Sequence, residues 1–373
     1  MKELLGVIDA SENHIQLKEI TKNRSIAAVP IGSRYRIIDF ALSNMVNSGI
    51  QDVGIITQNH YNSLLTHLGP GKDWDLNRKR GGLFIFPPYG GSDSQGWYRG
   101  SVDALHSIMR FIRRSEQEYV LVSGTYMVFS FTYHDVLKYH IDNEADITIL
   151  YKEKKGMTPD EFKQNTLIKV NDCGRVVDME INPSLPRFNN IYMNTFIIGK
   201  DLLDYLLDEC QSRGESDFVK DILLRKLSSL KIYGYKFNGY LACINSINAY
   251  YRYNMDLLNS DIREELFIKS GPVHTRVMDV VPAMYSENAC VKNCIVADGC
   301  IIDGNVENSI LFRGVKIYKG AKIKNSIIMQ DSEVHENAIL ENVILDKEVI
   351  IRRSKNLIGQ EIYPVVISKG AVI

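Results

Sequence analysis

The sequence predicts an α/β domain on a mostly parallel sheet, followed by a parallel β-helix. Three observations carry this. Strand-like and helix-like runs alternate through the first ~150 residues, the order that builds a doubly wound parallel sheet. The helical period disappears after about residue 265, and from Val306 onward the aliphatic residues recur every 17 positions. A repeat that short cannot bury its apolar face alone and must stack on its neighbours.

Taken in order, LLGVID near the N-terminus is a short apolar strand. RYRIIDFALSNMVNSGI is an amphipathic helix with Ile37, Ile38, Leu42, Met45 and Val46 at helical spacing, closed by Asn47-Ser48-Gly49. DVGIIT (Asp52 to Thr57) is the next strand, SVDALHSIMRFIRRS a helix, YVLVSG a strand, FTYHDVLKYHIDNEA a helix and DITILYK a strand. TLIKVND and CGRVVDMEINP form a hairpin. YMNTFIIG is a strand, DLLDYLLDECQ and KDILLRKL are helices, LKIYGYKFNGYLACI is a strand pair, and SINAYYRYNMDLLN is a last helix. Beyond it, Ile295, Ile301, Val306, Leu311, Ile317, Ile323, Ile328, Val334, Leu340, Leu345 and Ile351 follow one another at steps of five or six. Three short strands per turn place each corner's aliphatic over the last in a triangular prism. The expected domains are 1–260, a linker 261–284 containing KSGPVHTR, and a β-helix 285–373.

Composition excludes several functions. The 373 residues carry a net charge of −1, with 45% hydrophobic and 24% charged residues, as in an ordinary globular chain. No basic field points to nucleic acid, and the cluster NRKRGG (Asn77 to Gly82) reads as a polar loop. No apolar run approaches the ~18 residues of a membrane span. LLGVI is too short for a signal-peptide core of roughly 7–15 residues. A cytoplasmic protein is expected. Six cysteines form no CxxC pair, and Cys290, Cys294 and Cys300 lack the partners of a zinc set, so no metal is expected.

Five blocks carry a resemblance: AAVPIGSRYRIIDFALSNMVNSGI (27–50), GWYRGSVDAL (96–105), YVLVSGTY (119–126), SDFVKDIL (216–223) and NAYYRYNMDLL (248–258). In this order they resemble the ADP-glucose pyrophosphorylases, or glucose-1-phosphate adenylyltransferases, across nearly the whole chain. The resemblance implies a nucleotidyltransferase-type Rossmann-like domain and a left-handed parallel β-helix of the hexapeptide type. It also implies joining of glucose-1-phosphate to the α-phosphate of ATP with release of pyrophosphate. That chemistry needs backbone N–H groups, basic side chains and Mg²⁺ around the phosphates.

Position by position, the resemblance implies that this equipment is missing. The family's glycine-rich phosphate loop falls on Ala10 to Leu17, where Ser11, Glu12 and His14 replace glycines and Gln16 replaces an arginine. A carboxylate at Glu12 beside phosphate costs roughly 4 kcal/mol per pair of unit charges at ~4 Å. A lysine position falls on Ile26, followed by Ala27 for proline. The two metal aspartates fall on Thr125 and on Cys243, the latter preceded by Leu241 and Ala242. The sugar-site lysine falls on Asn182, after Ile181. Mg²⁺ prefers carboxylate oxygens in octahedral geometry, which a hydroxyl and a thiol do not supply. No cofactor is expected. The pattern resembles the GlgD-type, catalytically deficient subunit that partners an active GlgC-type subunit in bacterial glycogen synthesis, in a heterotetramer or as a homo-oligomer.

Some of the family's positions survive. Gln58, Gly100 and Ser101 match its nucleotide pocket, although Gly100 and Ser101 serve equally to cap the following helix. Lys220 and Asp221 match its sugar pocket, or form a structural ion pair. Arg34 and Arg36 precede a helix, where the family binds anionic sugar-phosphate or nucleotide effectors; a solvated surface pair is the alternative. His335, the one histidine in the repeats, would be a base only in an acyltransferase. Two other functions fit the same residues: a weak adenylyltransferase whose metal is held by Asp103, Asp217 or Asp221, and a stand-alone sugar-phosphate or nucleotide sensor.

Overall fold

The computed structural model describes residues 3–11, 17–58, 60–88, 98–154 and 164–373. A nine-stranded sheet forms the first domain. Gly82–Phe86, Asp52–Thr57, Leu4–Ala10 and Tyr119–Gly124 lie side by side in parallel. Asn190–Gly199 then runs antiparallel to Tyr119–Gly124. Beyond it, Ile147–Glu153 pairs with Ile232–Lys236, and the hairpin Thr166–Val170/Val176–Ile181 closes the far side. Leu4–Ala10 is buried along its whole length, as a central strand covered on both faces must be.

Several elements depart from the sequence pattern. The strand Gly82–Phe86 was not expected from GLFIF; it forms the sheet edge at the end of the NRKRGG loop. The expected helix over 101–115 is two short ones, Ser101–Ser107 and Met109–Arg114, broken at Ile108. KDILLRKL falls partly in a wide, π-type turn, Phe218–Leu224. The two strands of LKIYGYKFNGYLACI do not pair with each other. Ile232–Lys236 joins the main sheet, and Ala242–Cys243 pairs with Met127–Val128. In the expected linker, Ser260–Glu264 is a helix, and regular structure continues to Lys269.

The C-terminal region is three five-stranded parallel sheets, one per side of a prism, consistent with the left-handed β-helix. The inward rows are Ile302-Ile317-Val334-Ile351, Val306-Ile323-Leu340-Leu357 and Leu311-Ile328-Leu345-Ile367. Ile301 is a correction: it is 41% exposed, and its neighbour Ile302 is fully buried in the row. Likewise Val296, not Ile295, lies in register with Leu311. The physical reason is a shorter first coil. Val291 pairs with Val306 and Val296 with Leu311, 15 residues on, and a slip of one residue turns a side chain to the other face. At the corners Asn308, Asn325 and Asn342 all adopt left-handed φ of 45–52°. Asparagine tolerates that region better than other side chains with a Cβ.

The two regions share a core. Ile310, Ile327 and Ile344, on the outer face of one prism side, pack with Phe312 and Met329 against Ile26, Phe40, Tyr250 and Tyr251. Tyr251 Oη donates to the carbonyl of Asn325 at 2.6 Å, and Arg24 forms a buried ion pair with Asp346 at 2.8 Å. The segment after Lys269 is tied down as well: Ser43 Oγ accepts from the N–H of His274, and Arg276 donates to the carbonyl of Thr66. Among the described residues, no helix is long and apolar enough to cross a membrane.

Candidate functional site

At the carboxyl end of the parallel strands, where ligands sit in open α/β sheets, Asp9 lies in register with Gly124. Thr125 follows directly and is buried. The ladder Met127–Val128/Ala242–Cys243, extended by Ile244 N–H donating to the Tyr126 carbonyl at 2.8 Å, brings the Cys243 segment alongside the Thr125 segment. The structure thus joins the two segments that the sequence matched to metal positions. A cavity of about 300 Å³, partly open to solvent, is lined there by Asp9, Ser101, Tyr192, Asn194, Phe196 and Phe218. Phe196 and Phe218 stack at 4.3 Å between ring centres. Asp9 Oδ1 accepts from both the N–H and the hydroxyl of Ser11, at 3.0 and 2.5 Å.

Asp9, at the end of its strand, lines this cavity and was not singled out from the sequence. No lysine or arginine is among the described residues lining this cavity, and Asp9 contributes a carboxylate to it. Ile26, which the resemblance placed at a lysine position, is buried in the core shared with the β-helix. Glu12, His14 and Gln16 lie outside the described residues. Asn182 and Ile181 are exposed.

The surviving positions make the following local contacts. A Cβ on Gly100 would run into the Ser216 carbonyl, which also accepts from the N–H of Val102; Ser101 Oγ accepts from the N–H of Phe218 at 3.0 Å. Gly100 and Ser101 therefore lock the 216–218 turn onto the helix, with Ser101 still facing the cavity. Gln58 is buried and donates toward the Tyr98 carbonyl at 3.4 Å. Lys220 is exposed, and Asp221 accepts from the N–H groups of Ser216 and Asp217. Asp217 caps its own turn through the N–H of Lys220. Asp103 is held by Arg99 and Gln211, and these contacts outweigh burial in keeping its carboxyl below its ordinary range. Asp103, Asp217 and Asp221 are thus committed to local contacts. Thr125 and Cys243 offer a hydroxyl and a thiol, a donor set that does not fit Mg²⁺.

A second cavity, about 360 Å³ and partly open to solvent, lies where the α/β region meets the β-helix. Arg34, Arg36, His67, Arg276, Arg313 and Gln330 line it. Arg34 and Arg36 come from the edge of the short strand Tyr35–Arg36, Arg276 from the linking segment, and Arg313 from the β-helix. Arg36 donates to Ser63, and its N–H to the Asp39 carboxylate. Asp39 in turn contacts His67 Nε2 at 2.6 Å. Arg313 is 7% exposed, and its Nε has no hydrogen-bond partner. Burial, only partly offset by Asp39 and reinforced by Arg24 and Arg276, lowers Arg36 to about 10. Burial and the neighbouring Arg34 also lower Arg313. Asp39 and Asp298 offset this positive charge only in part, and an anion in the cavity would offset more of it. Arg276, Arg313 and His67 were not legible as site residues, because their sequence neighbours give no sign of convergence.

His335 stacks on Tyr318 at 4.7 Å and lies 3.6 Å from Glu333, within a surface ladder of charges on the β-helix.

Comparison with known proteins agrees with both halves. The Nucleotidyl transferase family matches residues 15–260, and the GlmU-like C-terminal hexapeptide family matches residues 279–363. The chain is 34% identical over 375 residues to the Glycogen biosynthesis protein GlgD of Bacillus subtilis (strain 168), covering 99% of this chain and 97% of the relative. It is 33% identical over 339 residues to a Glucose-1-phosphate adenylyltransferase of Bacillus mycoides (strain KBAB4), covering 90% and 89%. To that of Clostridium novyi (strain NT) it is 34% identical over 319 residues, covering 85% and 83%.

Proposed function

Because this chain belongs to the nucleotidyl transferase family, among the glucose-1-phosphate adenylyltransferases and their GlgD relative, we propose that it serves glycogen biosynthesis as a regulatory subunit with little or no turnover of its own. It acts in the cytoplasm, bound to a catalytic GlgC-type subunit in a heterotetramer, and changes that subunit's response to an anionic sugar-phosphate or nucleotide effector. The observation that carries the reading is the contrast between the two cavities. The one at the strand ends is lined by Asp9, beside the buried Thr125 that the resemblance places at a metal position, and lacks cations among its described lining residues. The one at the joint gathers four arginines. Charge has been lost where phosphoryl chemistry would need it and concentrated where a ligand can bias how two domains sit together.

The test is a mixture. The chain is added to a catalytic subunit from the same source, and adenylyl transfer is followed against a series of phosphorylated metabolites. The wild type is expected to shift the effector half-saturation or maximal rate of the catalytic subunit several-fold. Arg313→Ala is expected to abolish most of that shift while leaving complex formation intact. A mixture that behaves as the catalytic subunit alone would overturn the proposal.

A further inference from the structure

If the joint cavity takes an anion, as the functional reading above holds, a proton is expected to enter with it. His67 lines this cavity and is 5% exposed, and Asp39, its partner at 2.6 Å, is fully buried. The helix Asn62–Leu68 carries the imidazole, and the helix Ile37–Asn47 carries the carboxylate in its first turn. There Asp39 Oδ2 also accepts from the N–H of Arg36, so the carboxylate is held from two sides while Oδ1 meets His67 Nε2. His67 Nδ1 makes no hydrogen bond among the described residues. With Nε2 engaged by a carboxylate, Nδ1 is the atom that gains or loses the proton. Trp74, from the turn Lys72–Trp74, meets the ring edge-on at 5.6 Å between ring centres. Of its charged neighbours in that turn, Lys72 is exposed and Asp73 accepts from the N–H of Val277.

Charges act on that proton in opposite directions. The Asp39 carboxylate favours imidazolium. Burial opposes it, and so do Arg34, Arg36, Arg276 and Arg313, which line the same cavity. Arg24 and Lys347 act on Arg36 in turn, and Asp298 on Arg313. Tyr35 lines the cavity too, but burial first keeps its hydroxyl protonated above the ordinary range. An anion among the arginines cancels much of the opposing charge and leaves the attraction of Asp39 in force. Imidazolium in turn gives the anion one more positive charge and an N–H. The two effects are a single coupling: the anion draws in a proton, and the proton tightens the anion. Resting on the reading of this cavity as an anion site, we infer that ligand binding there is coupled to protonation of His67 at Nδ1, so that the site senses pH together with its ligand.

Inorganic sulfate is the probe, because its charge stays fixed near neutral pH and any change in affinity belongs to the protein. Calorimetry on the full-length chain, in two buffers of different ionisation heat, gives the affinity and the protons taken up per sulfate bound. The wild type is expected to bind sulfate about tenfold tighter at about pH 6 than at about pH 8, with net proton uptake. His67→Gln, which keeps a donor for Asp39, is expected to bind equally at both and to take up none. Lys347 is the other group able to change charge in this range, since burial first, then Arg36 and Arg24, push it down to about 7. Lys347→Met is expected to keep the uptake. If His67→Gln does not fold, Trp74 reports in its place: in Trp97→Phe, sulfate is expected to quench Trp74 emission at about pH 7, as imidazolium forms, and to leave it unchanged at about pH 9. A wild type whose sulfate affinity and proton count ignore pH, uptake that persists in His67→Gln, uptake lost in Lys347→Met, or Trp74 emission unmoved by sulfate at neutral pH would each overturn the coupling and leave the anion site standing. No sulfate binding at any pH would overturn both.

Discussion

At the scale of single residues, Ile26 packs in the core shared by the two regions, and Arg313 is a buried guanidinium whose Nε has no hydrogen-bond partner. Lys347 reports the same crowding of cations at the joint. Burial first, then Arg36 and Arg24, push it down to about 7, with Asp346 opposing and Lys369 adding to the effect. An unfolded chain would protonate this lysine up to its ordinary value near 10.4, so between about pH 7 and that value the unfolded state binds the extra proton. Stability therefore rises with pH across this window, and below pH 7 the full penalty for holding the charged lysine remains. Lys347→Met is expected to raise stability by about 1–3 kcal/mol at pH 6 and to flatten the slope between pH 7 and 10. Denaturant titrations at pH 6 and 9 check this; an equal effect at both pH values would contradict it.

Elements show which parts of the fold the sequence could reveal. The 17-residue period from Val306 to Ile351 was legible because each inward row is aliphatic; Ile295 and Ile301 were misassigned just before it, where register partners are 15 residues apart. A second signal lay unread: the adjacent pairs Ile310-Leu311, Ile327-Ile328 and Ile344-Leu345 mark the prism side that is apolar on both faces, and that side docks on the α/β region. The edge strand Gly82–Phe86 escaped because five residues at an edge show no clean alternation. Thr125 and Cys243 were legible as a pair through the resemblance, and their segments do lie together. The arginine cavity was half legible, since Arg34 and Arg36 precede a helix whereas Arg276 and Arg313 are distant in sequence. The joint itself rests on Arg24 and Asp346, 3% and 2% exposed. Asp346→Ala should cost about 3–5 kcal/mol by leaving Arg24 buried and unpaired, and Arg24→Met with Asp346→Leu should recover most of it. Thermal and denaturant unfolding of the three proteins measure this; a double variant as unstable as the single one would contradict it.

At the scale of the whole molecule, a nucleotidyltransferase-family sheet carries a β-helix, and the proposed regulatory role rests on the strand-end cavity being unfit for phosphoryl transfer. The cost of keeping such a cavity is low, because Gly100, Ser101 and Asp221 now hold turns together. At the joint between the two regions four arginines line one cavity, the place where the proposed effector would bind. The account's central claim is that catalysis has been given up at Asp9, Thr125 and Cys243. The most direct measurement is pyrophosphate release by the purified chain alone, with ATP, glucose-1-phosphate and Mg²⁺. The account predicts turnover at least a thousandfold, or roughly 4 kcal/mol in barrier, below that of an active relative under the same conditions. Mg²⁺-dependent turnover near the relative's rate would contradict it.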